Sequence, residues 1–238
     1  MNTILHIDTS GPDALIGISQ DLKIIASKQN SQSNTHGEFV QAGVDELFRD
    51  SAMQLKDIDA IAVTMGPGSY TGLRVGLASA KGLAFALNKP LIGLSTLTLL
   101  AKAAVGHLTA TENPLVNEKQ LQVFSMIDAR RMEIFGAIYN SSLGYLAAEK
   151  AMILDEALLL ALLSNGPLIC IGSGVAKTKI LTQHADFHNY SPLFLDCSYT
   201  IHDMAALAMI KFKAADFEDL AYSGPAYLKD YYQKPLIK

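Results

Sequence analysis

The sequence predicts an α/β protein built from two tandem domains, each with a mixed sheet flanked by helices. Three observations carry this prediction. A strand that ends in an aspartate, followed by a turn and a second strand, occurs at Asp8 and again at Asp128. A helix, a further strand and a glycine turn belong to each copy. The polar stretch 107–119, which contains Pro114, separates the two copies.

The first copy, residues 1–106, is predicted to contain three strands, a helix and two strand–helix pairs. Its first helix places Val40, Val44, Leu47 and Phe48 on one apolar face. The predicted strands lie at 3–9, 14–20, 23–28, 58–64 and 90–93, and the predicted helices lie at 36–53, from 71 onward and at 95–106.

The second copy, residues 107–200, repeats this plan in a shorter form, which indicates a weak internal repeat. Its predicted elements are strands at 121–127, 132–140 and 168–171, a helix at 155–164, and a helix after the glycine turn of Gly172 and Gly174. A last helix, at about 201–216, is predicted to pack back on the first copy. Residues 217–238 are predicted to form an irregular tail.

Composition argues against several classes of protein. The formal net charge of −4 argues against a chain that binds nucleic acid mainly by itself, because such domains usually carry a basic surface. The start, MNTILHIDTS, lacks the features of a secretory signal, and no apolar run reaches the length of a membrane span. Cys170 and Cys197 are expected to be reduced thiols of a cytoplasmic protein.

The most informative stretch is 61–88, where an apolar strand leads through a glycine-rich turn into a helix. Gly72, Gly76, Ala80 and Ala84 recur every four residues, so they share one helical face that lets another backbone approach closely. Such a face suits a phosphate at the helix start or a second helix along its side. The loop matches neither a Walker loop nor a dinucleotide fingerprint, which favours helix positioning and docking.

Other residues offer ligand contacts, each with a plainer structural alternative. Asp8, Thr9 and Ser10 suit a metal-bound phosphate, but an aspartate also closes a hairpin by bonding its own backbone. Gly172 and Gly174 suit a phosphate loop, but also a simple strand-to-helix turn.

Two further groups are considered and not favoured. Asp128 and Glu133 could form a second acidic cluster, although solvated hairpin charges explain them as well. His184 and His188 have the spacing that puts two imidazoles on one helical face. The residues between them lack the glutamate of the metalloprotease signature.

Two units of this kind in tandem resemble the actin-like ATPase superfamily, whose ribonuclease H-like domains face each other across a cleft. Closer similarity is carried, in chain order, by ILHIDTS, GPGSYTGLRVGLASAKGLA, GLSTL, IDARRMEIF and PAYLK. Together these motifs resemble the TsaB (YeaZ) family, the partner of TsaD in making threonylcarbamoyladenosine in tRNA. Tyr70 stands where that family usually has phenylalanine, and Lys229 where it usually has arginine.

The resemblance implies a non-catalytic scaffold subunit of the tRNA modification complex. TsaD binds a metal through two histidines, and the matching positions here are Thr96 and Leu100. Leucine has no lone pair to donate, so no metal is expected, and no cofactor is implied. The implied partners are TsaD, as a heterodimer, and TsaE, with tRNA reached only through the complex. Alone, the chain is expected to form a homodimer in the cytoplasm, without membrane contact.

The family pairs through the helix after GPGSYTG and the helix before it. This resemblance assigns the small-residue face to the partner interface. Gly72, Gly76 and Ala80 would form the close-contact strip, with Tyr70 and Arg74 at its margin. Two other functions stay open: a small ATPase or kinase that uses the interdomain cleft, and, less favoured, a metallopeptidase.

Overall fold

The computed structural model describes residues 1–31 and 36–229 of the chain. Residues 230–238, the end of the predicted tail, lie outside this described part. Across the described ranges the chain forms two five-stranded sheets with helices packed against them.

The first sheet lies in the N-terminal half of the chain. Its strands are β1 (Thr3–Asp8), β2 (Ala14–Gln20), β3 (Lys23–Asn30), β4 (Ala60–Gly66) and β5 (Leu91–Ser95). They follow the order β3-β2-β1-β4-β5, with β1 antiparallel to β2 and parallel to β4. Every residue of β1 is buried, because helices cover both faces of this sheet.

The second sheet repeats this topology. Its strands are β6 (Gln122–Asp128), β7 (Glu133–Tyr139), β8 (Tyr145–Ile153), β9 (Leu168–Ile171) and β10 (Leu193–Leu195). Their order is β10-β9-β6-β7-β8, with β6 antiparallel to β7 and parallel to β9. The predicted fold class, two α/β units with mixed sheets flanked by helices, is confirmed. Asp8 and Asp128 end the equivalent strands β1 and β6.

The described ranges contain six α-helices, of which the first five connect strands and the last follows β10. They are α1 (His36–Asp50), α2 (Tyr70–Leu87), α3 (Thr96–Ala110), α4 (Glu156–Ser164), α5 (Val175–Leu181) and α6 (Ile201–Lys213). Helices α1 and α2 cover one face of the first sheet, where Leu47 and Leu77 meet Ile7 and Ile61. None of the helices in the described ranges is long and apolar enough to cross a membrane.

The opposite face of the first sheet is covered by α6. Met204 and Leu207 pack there with Ile92 and Leu94 of β5. Lys211 of the same helix donates a hydrogen bond of 2.9 Å to the carbonyl oxygen of Gly93. The chain therefore returns to its first sheet after completing the second one.

Helix α3 lies between the two sheets. It follows β5 in the chain, but Leu97 and Leu100 belong to the same buried cluster as Val123 and Ile169 of the second sheet. Leu99 points the other way, into the cluster formed by α6 and the first sheet. A single helix therefore contributes apolar surface to the cores of both units.

Two strands were missing from the sequence prediction. β8 is an edge strand whose exposed residues include Tyr145, Leu146 and Ile153, so it shows no clean alternation of apolar and polar residues. β10 spans only Leu193–Leu195, which is too short for periodicity to register. Both strands form because they pair with a neighbouring strand, β8 with β7 and β10 with β9, and the local sequence does not indicate this pairing.

The small-residue face of α2 corrects one prediction. Gly72, Gly76 and Ala80 are buried inside this chain rather than exposed to a neighbouring subunit. A Cβ atom on Gly72 would collide with the carbonyl oxygen of Thr9, and one on Gly76 would collide with the Thr9 hydroxyl. The helix crosses the end of β1, and this crossing requires the absence of side chains. The close approach that the pattern predicts is real, but it occurs within the fold.

Candidate functional site

The β1–β2 turn and the loop before α2 form one hydrogen-bonded unit. The amide of Ser69 donates to the carbonyl oxygen of Ser10 at 2.7 Å. The Thr9 hydroxyl donates to the carbonyl oxygen of Gly72, also at 2.7 Å. Ser69 caps α2 by accepting a bond of 3.2 Å from the Gly72 amide. The glycine-rich loop is thus positioned by the first hairpin.

Asp8 is buried at the centre of this unit, with both carboxyl oxygens engaged. Oδ1 accepts from the Thr64 hydroxyl at 2.7 Å and from the Ser10 amide at 2.8 Å. Oδ2 accepts from the Tyr199 hydroxyl at 2.7 Å, and that hydroxyl lies 2.9 Å from the Ser10 hydroxyl. Burial, and next the neighbouring Asp8, raise the pKa of Tyr199 well above its ordinary value. Tyr199 therefore stays a neutral hydrogen-bond donor.

A cleft of about 720 Å³ separates the two sheets. Ser10 and Asp128 of the two hairpins line it, together with Gly68, Ser173 and Tyr199 from other loops. Asp8 and Thr9 do not line it, because they lie within the hydrogen-bonded unit described above. Of the three candidates in the first hairpin, the structure brings Ser10 alone to the cleft wall.

The second hairpin carries Asp128 on the opposite wall. Lys177 of α5 lies 2.7 Å from Asp128 Oδ1 and donates a second bond of 2.7 Å to the Glu133 carbonyl oxygen. This lysine, mainly through its hydrogen bond, lowers the pKa of Asp128. Glu133 pairs with Lys229, which lowers its pKa too. Each carboxylate is thus matched with a lysine of this chain.

The second glycine turn packs against the end of β6. Gly172 has φ +98°, and a Cβ atom there would collide with the carbonyl oxygen of Met126. A Cβ atom on Gly174 would lie 2.6 Å from the Cβ of Met126. This close packing accounts for both glycines as a strand-to-helix turn, and Ser173 between them accepts a 2.9 Å bond from the Asp128 amide.

The two positions that the family resemblance matches to metal ligands also reach the cleft. Thr96 and Leu100 both line it. The Thr96 hydroxyl is buried without a hydrogen-bond partner among the described residues. Across those residues, no group of three or more histidines, cysteines, aspartates or glutamates is placed to hold a metal ion.

Replacing Tyr199 by phenylalanine is expected to lower the free energy of unfolding by roughly 1–3 kcal/mol, because Oδ2 of Asp8 would lose the donor that satisfies it inside the fold. Urea unfolding measures this loss. Tyr222→Phe is the control, since Tyr222 is 90% exposed and should tolerate the same change. Equal stability of Tyr199→Phe and the unmodified chain would contradict this role.

A mostly apolar groove of about 430 Å³ lies between α1 and α2, with Gln41, Asp45 and Ser79 as the polar part of its lining. Its lining includes Val40, Val44 and Phe48 of α1 and Ala78, Gly82 and Leu83 of α2. A Cβ atom on Gly82 would meet nothing within 4 Å, so the groove is open at this glycine. Phe85, one turn further along α2, is 81% exposed.

Sequence reasoning missed this groove, although a signal for it was present. Ala78, Gly82 and Ala86 repeat every four residues, just as Gly72, Gly76 and Ala80 do. The first set faces outward and the second faces β1 and β4. The spacing contains two small-residue faces of α2, of which the sequence analysis recognised only the one with Gly76, and spacing alone does not tell which face is exposed.

Tyr70 and Arg74, the predicted margin of the interface, contact the C-terminal segment of the same chain. The Arg74 guanidinium lies 4.1 Å from the centroid of the Tyr70 ring, and its Nε donates to the Tyr227 hydroxyl at 2.8 Å. The Ala226 amide donates to the Met65 carbonyl oxygen at 2.7 Å, which holds this segment on β4. Both side chains are exposed at the surface.

Comparison with known proteins places the chain in a family. The family model described as tRNA N6-adenosine threonylcarbamoyltransferase, TsaD, matches residues 23–236. The tRNA threonylcarbamoyladenosine biosynthesis protein TsaB of Haemophilus influenzae is 35% identical over 133 residues, which cover 56% of this chain and 52% of that protein. TsaB of Bacillus subtilis is 31% identical over 159 residues, covering 67% and 63%. The matches thus span less than two thirds of each relative.

A solved structure shows the same fold over nearly the whole chain. YeaZ from Pseudomonas aeruginosa superimposes with a TM-score of 0.72 at 22% identity, covering 96% of this chain and all of that one. The family model matches well over half of the chain, so the chain belongs to the TsaD family, and TsaB proteins are among its relatives within that family.

Proposed function

We propose that this chain is a non-catalytic scaffold subunit in tRNA threonylcarbamoyladenosine biosynthesis, which pairs with TsaD through the groove between α1 and α2. The observation that carries the proposal is the open groove beside an exposed Phe85. Burying one such side chain is worth roughly 1.5–3 kcal/mol, so a helix pair from a partner would gain by covering this surface.

The kind of partner follows from the family relationship. TsaD shares the family model that matches this chain, so it is expected to carry its own version of the α1–α2 pair. Two such pairs, packed face to face, form a four-helix arrangement with near-twofold symmetry. The same surface would allow a homodimer of this chain when TsaD is absent.

The state of the cleft supports a non-catalytic role. Asp8 is satisfied by three donors of its own chain, and Lys177 pairs with Asp128 where a phosphate-bound metal would compete for the carboxylate. By the family resemblance, Leu100 stands where a metal ligand is expected in TsaD. TsaE recruitment by the paired subunits rests on the family resemblance, as does access to tRNA through the complex.

Replacing Gly82 by arginine is expected to weaken pairing with the cognate TsaD by roughly 100-fold or more, because a long charged side chain would fill the groove. The fold should survive, since a Cβ atom at Gly82 meets nothing within 4 Å. The measurement is the mass of the complex in solution, with and without nucleotide, together with circular dichroism of each variant.

Gly106→Arg is the matched control, because Gly106 lies in α3, away from the groove, and also has no neighbour within 4 Å of an added Cβ. It should pair normally. Full pairing by Gly82→Arg would overturn the proposed interface. Failure of the unmodified chain to pair with TsaD at all would overturn the scaffold function itself.

The two alternative functions make separate measurable claims. A small ATPase or kinase requires saturable binding of ATP with magnesium by the isolated chain, and Asp8→Asn should remove it. A metallopeptidase requires stoichiometric zinc in the purified protein, which elemental analysis detects. Either result would replace the scaffold proposal.

A further inference from the structure

A basic and aromatic surface lies near the cleft, separate from the groove between α1 and α2. We call it the hairpin patch; it consists of Arg130 and Arg131 in the β6–β7 turn together with Tyr70, Arg74, Tyr227 and Lys229. The two parts meet because Lys229 pairs with Glu133 at the start of β7. A hollow of about 210 Å³, lined by Tyr70, Tyr227, Lys229 and Phe135 among others, joins them.

The charges of the hairpin patch do not cancel. Lys177 is matched by Asp128, and Lys229 is matched by Glu133. Both arginines of the turn are exposed, and neither guanidinium forms a hydrogen bond or close ion pair with a residue of the described ranges, although Glu133 attracts Arg131 through space. The two positive charges of the turn, and that of Arg74, which contacts tyrosines rather than a carboxylate, therefore leave an excess of positive charge at this edge of a chain whose formal net charge is −4.

The backbone of the turn adds an independent observation. Arg130 has φ +72° and Arg131 has φ +49°, so both lie in the left-handed region. Residues with side chains disfavour this region, and Asn-Gly is the usual occupant of a turn with two such positions. Turn chemistry does not explain two consecutive arginines. Backbone strain of this kind is concentrated at functional sites.

The aromatic half of the patch is suited to unpaired bases. Tyr70 is 44% exposed and Tyr227 is 47% exposed, and their ring centroids lie 5.3 Å apart. The Arg74 guanidinium packs over the Tyr70 ring. Proteins that bind single-stranded RNA combine cations for the phosphates with aromatic rings and arginine planes on which bases stack.

We propose that the hairpin patch contacts a single-stranded loop of RNA, with Arg130 and Arg131 on its phosphates and Tyr70 and Tyr227 beside its bases. This inference rests on the proposed function, in which the substrate of the complex is a tRNA, so RNA is the expected polyanion. The contact adds to RNA binding by the partner subunit, because the few positive charges of this patch cannot hold RNA alone on a chain of negative net charge.

The test replaces the turn by the pair that its backbone favours, Arg130→Asn with Arg131→Gly. The complex of the full chain with its TsaD is titrated with a labelled RNA stem-loop, and binding is followed by fluorescence anisotropy at several salt concentrations. Affinity is expected to fall about tenfold at 0.1 M salt. The slope of log K against log salt should become shallower by about 1.4, as expected for two phosphate contacts on a single strand.

The same variant should be more stable than the unmodified chain, with a melting temperature about 2–4 °C higher, because the turn strain is relieved. Weaker binding by a more stable protein separates the RNA contact from a folding defect. Lys23→Ala with Lys119→Ala is the matched control: it removes two exposed positive charges elsewhere and should leave the salt slope unchanged. Replacing the two arginines should reduce the affinity of the complex for a blunt-ended RNA duplex far less than its affinity for the stem-loop.

Several outcomes would overturn the inference. One is an unchanged slope and affinity in the turn variant; another is equal loss in the control variant. A third is arginine-dependent binding of anionic phospholipid vesicles without RNA binding, which would make the patch a lipid contact. These failures leave pairing with TsaD intact, so they are distinguishable from failure of the scaffold function, in which no complex forms.

Discussion

Gly76→Leu is expected to lower the free energy of unfolding by roughly 3 kcal/mol or more, enough to leave little folded protein. The first added carbon would collide with the Thr9 hydroxyl. That hydroxyl cannot rotate away freely, because it donates to the Gly72 carbonyl oxygen at 2.7 Å. The leucine would therefore push α2 away from β1, and urea or thermal unfolding would record the loss.

Gly82→Leu on the same helix is the matched control. The substitution is identical, but an added Cβ at Gly82 has no neighbour within 4 Å, so the fold should keep or slightly gain stability. The two variants distinguish the two small-residue faces of α2. If Gly76→Leu folds as well as Gly82→Leu, the inward orientation of Gly76 is wrong.

His6 is expected to make the protein lose stability as the pH falls below about 6.5. The side chain is completely buried in β1, and burial lowers its pKa from the ordinary 6.5 to about 3. At pH values between these two pKa values, His6 binds a proton in the unfolded chain but stays neutral in the folded chain. The free energy of unfolding should then fall by about 1.4 kcal/mol per pH unit, or roughly 2–3 kcal/mol between pH 6.5 and 4.5.

The comparison variant is His6→Gln, which keeps a polar group near the Ser19 hydroxyl, 2.8 Å from Nε2, and cannot titrate. Urea unfolding at several pH values should give a shallower decline for this variant than for the unmodified chain. Other titratable groups contribute equally to both proteins, so the difference in slope isolates His6. Parallel declines would show that His6 does not bind a proton on unfolding.

Local patterns predicted most of the strands and helices. Alternating and branched apolar residues marked β1, β4 and β6, and four-residue spacing marked α2. The turns were visible for similar reasons, because Gly66 at φ +111° and Gly172 at φ +98° need the freedom of glycine. β8 was missed since an exposed edge strand is specified by its neighbour rather than by its own periodicity.

The candidate site was predicted less completely. The sequence identified Asp8, but its partner Tyr199 lies 191 residues away, and no spacing rule connects them. The contact between Arg74 and Tyr227 spans 153 residues and depends on where the C-terminal segment crosses the first sheet. Such pairs form only when elements that are distant in the chain pack together, so local sequence patterns do not predict them.

By itself, the sequence determined that the chain is a duplicated α/β protein that resembles the TsaB group and that α2 carries small residues at four-residue intervals. Only the tertiary structure decided that Gly72, Gly76 and Ala80 meet β1 and β4 while Ala78 and Gly82 open toward solvent. The physical reason is that spacing sets which residues share a helical face. The rotation of that helix about its axis is set by the sheet on which it packs.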